Sequence, residues 1–413
     1  MFAQFASISR ALHHPNYGIY TAGNAVSLIG TWMQRIAVGW LTWELTESGA
    51  WLGAMAFADL FPSVFIGPIG GAFSDRGNRL RIIQVSQAIA CLMSAAMFVL
   101  TWSGLIEVWT LFALVLATGI VMGFTQPSRL ALVPSLVPRA DLSTAVAINA
   151  IVFNLARFIG PALAGLLIVT IGVEAAFGLN ALSFLVFVLA LTRIHLAEAQ
   201  AQPARARRSI LGDIVDGVAY AARHPGIGPL LLLSIAISIG VRPFVELLPG
   251  FAADVFGRGA DGLAMLSSTI GVGAILSGFW LAQRTRTIGL GRFTLLAFGA
   301  VAVAVLGFAA TDRFWVGMAA ATMAGVAMVM CGVGAQTLIQ LTVEPDMRGR
   351  VMSLYGIIFR GGPAAGALII GVLSELFGLR WPTAAAAVLA LAFWAYIWHR
   401  HRRAIFALEA SGD

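Results

Sequence analysis

The chain has no lysine at all. Each of its 26 long cationic side chains is an arginine, which we read as genomic composition bias without mechanistic weight. Charge of either sign is scarce, at 11% of residues against roughly a quarter in soluble domains. That shortage, beside 59% apolar residues, excludes a water-soluble enzyme. Cysteine is down to Cys91 and Cys331, both inside apolar runs, so these are packing residues and no disulfide or metal framework is expected. No nucleophile constellation or histidine-rich metal set is present: His13, His14 and His224 fall in loops, and His195, His399 and His401 at the ends of apolar runs. A phosphate-binding G-x-x-x-x-G-K loop is also missing, which argues against a nucleotide-driven pump. No cofactor or metal is therefore expected. A net charge of +7 would point to nucleic acid in a soluble protein. Here the arginines sit in short loops, where they set topology, so nucleic acid is not expected as a partner.

Apolar length is what the chain has in abundance. Twelve candidate membrane spans cover roughly 17–41, 50–72, 80–102, 107–126, 142–168, 174–194, 226–250, 261–282, 291–310, 313–338, 349–372 and 379–399. The first is much longer than a signal-peptide core and has no small-residue cleavage site after it, so it is expected to remain as a helix. With the N-terminus inside, loops on that side hold nineteen arginines, from Arg10 through Arg76, Arg79 and Arg81 to Arg400, Arg402 and Arg403. The opposite side holds Arg258, Arg313 and Arg380. This bias puts both termini in the cytoplasm of a multi-pass cytoplasmic-membrane protein, with the lipid bilayer as its surroundings and a monomer as the expected unit.

The halves echo each other. At an offset of 210, His14 and Pro15 match His224 and Pro225, Gly30 matches Gly240, Gly49 matches Gly259, and Arg76 matches Arg286. GPALAG from Gly160 is repeated as GPAAGA from Gly362, in spans five and eleven. The expected organisation is an all-α membrane protein: a six-helix bundle over 1–194, a cytoplasmic linker over 195–225, a second six-helix bundle over 226–400 and a tail over 401–413. Within the linker, AEAQAQPARARRS looks flexible. Ile210 to Arg223 follows as an amphipathic helix suited to a membrane surface.

Six ionisable residues lie within the spans: Arg35, Asp59, Arg157, Arg242, Glu246 and Arg360. Charges inside a bilayer are expensive and mark function by default. Arg35 and Asp59 both lie roughly 12–14 Å from the same end of their spans, at ~1.5 Å per residue, so they can meet. Ser234, Ser238, Arg242 and Glu246 form a stripe with spacing four, and Asn24, Ser27, Thr31 and Gln34 or Arg35 form a similar one in span one. With Asn149, Asn154, Arg157, Gln336, Gln340 and the aromatics Trp32, Phe153 and Phe359, these residues are expected to line a cavity. Glu246, near the outer end, is expected at an external gate. Four arginines against two acids favour an anionic, phenolic or neutral polar substrate over a large cation.

The stretch GPIGGAFSDRGNRLR, from Gly67 to Arg81, joins spans two and three; its Gly67, Gly70 and Gly71 are expected to let the preceding helix pack closely. The order Gly71, Asp75, Arg76, Arg79 resembles the cytoplasmic signature of the major facilitator superfamily. It departs where Asn78 replaces a usual glycine and Leu80 a usual basic residue, with Arg81 supplying charge one step later. Gly160, Pro161 and Gly165 resemble the antiporter motif of the same superfamily, echoed by Gly362, Pro363 and Gly366. The text around both is similar to the branch holding enterobactin exporters and transmembrane secretion effectors, over most of the chain. That resemblance implies twelve transmembrane helices in two parallel pseudo-repeats, a small-molecule substrate near the midplane and a latch built on Asp75 and its arginines. It also brings spans two and eleven together, which would let Asp59 reach Arg360 instead of Arg35. Exchange for protons is expected, with Asp59, Arg35, Arg360 and Glu246 as coupling candidates; span four lacks the mid-helix arginine of drug exporters. Export of a siderophore-like or amphiphilic metabolite is the leading expectation. Broad multidrug or macrolide efflux is the second, and lipid transport or scrambling on the same fold is the third.

Overall fold

The computed structural model describes residues 2–195, 210–283 and 289–409, and every regular element among them is helical. Hydrocarbon offers the backbone no partners, so an apolar chain of this length must satisfy its amides within each segment. In chain order the helices are α1 (Phe2–His13), α2 (Pro15–Thr46), α3 (Gly49–Leu60), α4 (Pro62–Arg76), α5 (Arg79–Trp102), α6 (Val108–Leu132), α7 (Leu142–Thr170) and α8 (Val173–Thr192). After α9 (Ile210–Arg223) come α10 (Ile227–Gly240), the single turn α11 (Leu248–Gly250), α12 (Ala260–Ala282), α13 (Leu290–Ala310), α14 (Phe314–Thr342), α15 (Pro345–Phe377) and α16 (Arg380–Ala407). Eleven segments among the described residues are long and apolar enough to cross a membrane. The expectation was twelve. The difference is α2: its 32 residues are ample in length, but Asn24, Ser27, Thr31, Gln34 and Arg35 dilute its hydropathy.

The chain divides into two compact units, Met1–Thr46 with Ala58–Ala206, and Glu47–Phe57 with Arg207–Asp413. Residues 47–57 thus group with the second unit rather than the first. There a methyl group on Gly53 would collide with the Ala367 carbonyl, and Glu375 accepts hydrogen bonds from Ser48 Oγ at 2.8 Å and Ala50 N at 3.0 Å.

In the first unit, α2 packs on α7 and α8, α5 on α8, and α4 on α6. A buried polar knot centres on Gln34, whose Oε1 accepts from Ser94 Oγ at 2.5 Å and Asn180 Nδ2 at 2.7 Å. Buried Asp141 ties α1 to the start of α7 by accepting from Arg10 Nε at 2.8 Å, and it lies 3.0 Å from His14 Nε2. Asn78, the departure noted above, caps α5 by accepting from Arg81 N at 3.1 Å. Gly70 does meet α6, where its added methyl would sit 2.7 Å from the Gly123 carbonyl oxygen, whereas Gly67 faces open space and takes no part in close packing.

The second unit is built on α13 and α14, with α12 on α14, α16 on α13, and α10 on α15 and α16. Its seventh apolar run, expected as one helix over 226–250, is broken. After α10 the chain takes a tight turn over Arg242–Val245, then α11, then a widened turn over Phe251–Val255. Pro243 and Pro249 are the cause, since neither ring nitrogen can donate to the preceding turn.

Candidate functional site

The break between α3 and α4 sets the position of Asp59. Pro62 has no N–H for the Ala58 carbonyl, so the helix kinks one residue after Leu60. Gly119 of α6 meets that released carbonyl; any side chain there would collide with it. Asp59, at the kink, pairs with Arg35 of α2, its Oδ2 lying 3.3 Å from Nη2. The two side chains are 28% and 33% exposed, so neither is sealed inside the unit.

Trp32, one turn before Arg35, carries two guanidinium groups near its ring. Arg35 Cζ and Arg157 Cζ each lie 5.5 Å from the ring centroid, and Phe153 of α7 meets it edge-on at 5.9 Å. Such cation–π contacts contribute about 0.5–2 kcal/mol each. The approach of α7 to Trp32 depends on Gly160, where an added methyl would meet Trp32 Cβ at 2.5 Å. Phe153 and Asn154 are exposed, Asn154 donating to the Ala150 carbonyl at 2.8 Å. Asn149 is half-buried and accepts from Asn24 Nδ2 at 3.4 Å.

In the second unit, Arg242 lies with Cζ 3.9 Å from the Phe359 ring centroid and donates from Nη1 to the Phe359 carbonyl at 3.0 Å. Phe359 is tilted on Tyr355 at 5.9 Å, and Tyr355 donates to the Gly332 carbonyl at 2.7 Å. Arg360, Gln336 and Gln340 are exposed, and Glu246 is half-buried on the turn that follows Arg242. Each unit therefore brings two arginines and one acid from the six intramembrane charges: Arg35, Arg157 and Asp59 in one, Arg242, Arg360 and Glu246 in the other.

Several expected lining residues are packed inside instead. Asn24, Gln34, Ser234 and Ser238 are buried; Gln34 belongs to the polar knot and Ser238 backs onto Gly362. Thr31 is half-buried and returns its hydroxyl to the Ser27 carbonyl at 2.7 Å. The stripe from Ser234 to Glu246 does not continue as one helical face, because the chain leaves the helix after Gly240. At the loop between α4 and α5, Arg79 donates from Nη1 to the Ala131 carbonyl at 3.1 Å, holding the turn to α6, while Arg81 lies in the first turn of α5. The side chains of Asp75 and Arg76, the linker over 196–209 and the tail over 410–413 lie outside the described residues. The prolines Pro62 and Pro243 were the signal that could have revealed both breaks in advance.

A family model described as transmembrane secretion effector matches residues 9–410. The chain belongs to that family. It is a major facilitator superfamily transporter, a multi-pass protein of the cytoplasmic membrane that moves small molecules. The staphyloferrin A transporter of Staphylococcus aureus is 22% identical, over 85% of this chain and 87% of the relative. The enterobactin exporter EntS of Escherichia coli is 22% identical, over 88% and 86%. Macrolide efflux protein A of Streptococcus pyogenes is 20% identical, over 87% and 89%. Among solved structures, a bacterial homologue of the human lysosomal transporter Spinster superposes with a TM-score of 0.64 at 17% identity, covering 98% of this chain and 95% of that one, which establishes the shared fold.

Proposed function

We propose that this protein is a proton-coupled exporter, working by alternating access, whose cargo is a siderophore-like or amphiphilic metabolite bearing anionic and phenolic groups. The carrying observation is the Arg35–Asp59 pair beside a tryptophan that a second guanidinium, Arg157, also faces. An anionic group on the cargo suits Arg157, and a phenolic hydroxyl suits ionised Asp59 as its acceptor. Protonation of Asp59 removes the charge that makes it a strong acceptor, so proton and cargo compete for the same carboxylate. Such competition is what exchange requires. In this reading Arg242, Arg360 and Glu246 serve the second unit, Asp75 with Arg76, Arg79 and Arg81 forms the cytoplasmic latch, and the two glycine–proline motifs supply the bends. Both termini face the cytoplasm, as the arginine bias supports.

Proteoliposomes test the proposal by substrate-dependent proton flux with a catecholate siderophore. Asp59→Asn is expected to abolish coupled flux while the protein still purifies as a folded species; full coupled activity in that variant would remove Asp59 from the mechanism.

Broad drug efflux is the second reading, favoured by the exposed aromatics Phe153 and Phe359 and by the likeness to the macrolide efflux protein. Drug-susceptibility profiling of a deletion strain, set beside its siderophore retention, separates the two.

A further inference from the structure

A proline inside a helix leaves the carbonyl four residues earlier without its intrahelical donor. In hydrocarbon that oxygen must find another partner or carry the cost of an unmet acceptor. Pro62, Pro68, Pro127, Pro161, Pro243 and Pro363 each withhold such a donor, and three of the released carbonyls lie against a glycine that leaves no room for a methyl. Pro62 releases Ala58, met by Gly119; Pro127 releases Gly123, met by Gly70; Pro243 releases Ile239, met by Gly366. The last of these prolines is different in kind. Pro363 of α15 releases the carbonyl of Phe359, and that oxygen accepts from the guanidinium of Arg242 at 3.0 Å.

The two segments exchange partners. Pro243, in the broken run, frees an oxygen that α15 covers with Gly366, and Pro363, in α15, frees an oxygen that the broken run covers with Arg242. Gly362, which backs onto Ser238 with no room for a methyl, brings the backbones near enough for both. We propose that Pro363 is a positioning residue for Arg242: by withholding a backbone N–H it keeps the Phe359 carbonyl available, and that oxygen together with the Phe359 ring 3.9 Å from Cζ fixes the guanidinium. The bend that a proline ring imposes is then secondary to the missing proton. This rests on the reading of Arg242 as a cargo-facing group only for its importance; the anchoring itself does not depend on what is transported.

The test uses the full-length protein and the rate at which phenylglyoxal modifies Arg242, followed by mass spectrometry, with the exposed Arg360 of α15 as internal reference. Pro363→Ala restores an N–H that competes for the Phe359 oxygen. Loss of a hydrogen bond to a charged group should speed modification of Arg242 on the order of tenfold, with Arg360 unchanged. A second variant carries lactic acid at position 363, introduced by nonsense suppression. It has no ring and no N–H, so it should label Arg242 at the wild-type rate. An unchanged Arg242 rate in Pro363→Ala overturns the proposal. So does a lactic acid variant that labels as fast as the alanine variant, because the ring and its bend would then be what matters. Neither result depends on transport, so failure here is distinct from failure of the proton-exchange reading.

Discussion

Gly366 and Gly67 look alike in the sequence, each a small residue in an apolar helix of a motif. Their surroundings differ completely. A methyl on Gly366 collides with the Ile239 carbonyl oxygen and with Pro243, both rigid, while one on Gly67 meets nothing within contact range. Gly366→Ala should therefore destabilise the protein by about 1–3 kcal/mol, the usual penalty for overpacking against atoms that cannot move. Gly67→Ala should be neutral or stabilising by up to about 1 kcal/mol, since alanine is the better helix former. Thermal unfolding of the two purified variants against wild type measures the contrast. The sequence marks both as small; only the neighbour across the helix decides which of them is needed. The same holds for polar residues. Gln34 and Arg35 are adjacent, yet one is sealed among Ser94 and Asn180 and the other reaches Asp59.

At the scale of elements, the junction of α9 and α10 carries a pH dependence. His224 Nδ1 accepts from the backbone amides of Gly226 and Ile227, both at 3.2 Å, and so caps the start of α10. Both donors are backbone N–H groups, so Nδ1 must be the unprotonated nitrogen. Burial holds this imidazole below its ordinary value of 6.5. Above 6.5 the ring is neutral in folded and unfolded chains and adds no pH dependence. Below it, the unfolded chain takes up a proton that the folded chain resists, so stability falls with falling pH until the folded ring titrates as well. His224→Asn keeps a capping acceptor and removes the titration. Its melting temperature, followed from above 6.5 down to about 5, should fall less than that of wild type; an identical slope would clear His224 of the effect. The repeated His-Pro pairs, His14 with Pro15 and His224 with Pro225, mark the two corresponding junctions in the sequence.

On the scale of the whole molecule, the arginine bias makes a claim about sidedness that chemistry on intact cells can check. In a background with Cys91 and Cys331 replaced by alanine, cysteines placed at Ser9 and at Glu409 should react with a membrane-impermeant maleimide only after permeabilisation. Cysteines at Glu107 and Asp312 should react from outside. Labelling of Ser9 and Glu409 from opposite faces would break the parallel arrangement of two six-span halves. The grouping of residues 47–57 adds something composition never announced: these eleven residues of the first half belong with the second unit, held there by Gly53 against Ala367 and by Glu375 on Ser48 and Ala50.

Membership of the membrane class, the all-helical fold and the family were fixed by local chemistry along the chain. Apolar length, arginine placement and the glycine–proline motifs are properties a residue carries whatever it touches. The tertiary structure decided which intramembrane charges pair, which expected lining residues are interior, and where the seventh run breaks. Those outcomes depend on contacts between residues far apart in sequence, such as Gly119 at the Ala58 carbonyl or Arg242 at the Phe359 carbonyl. A proline in the sequence says only that an oxygen is released, and it takes the neighbouring helix to say what meets it.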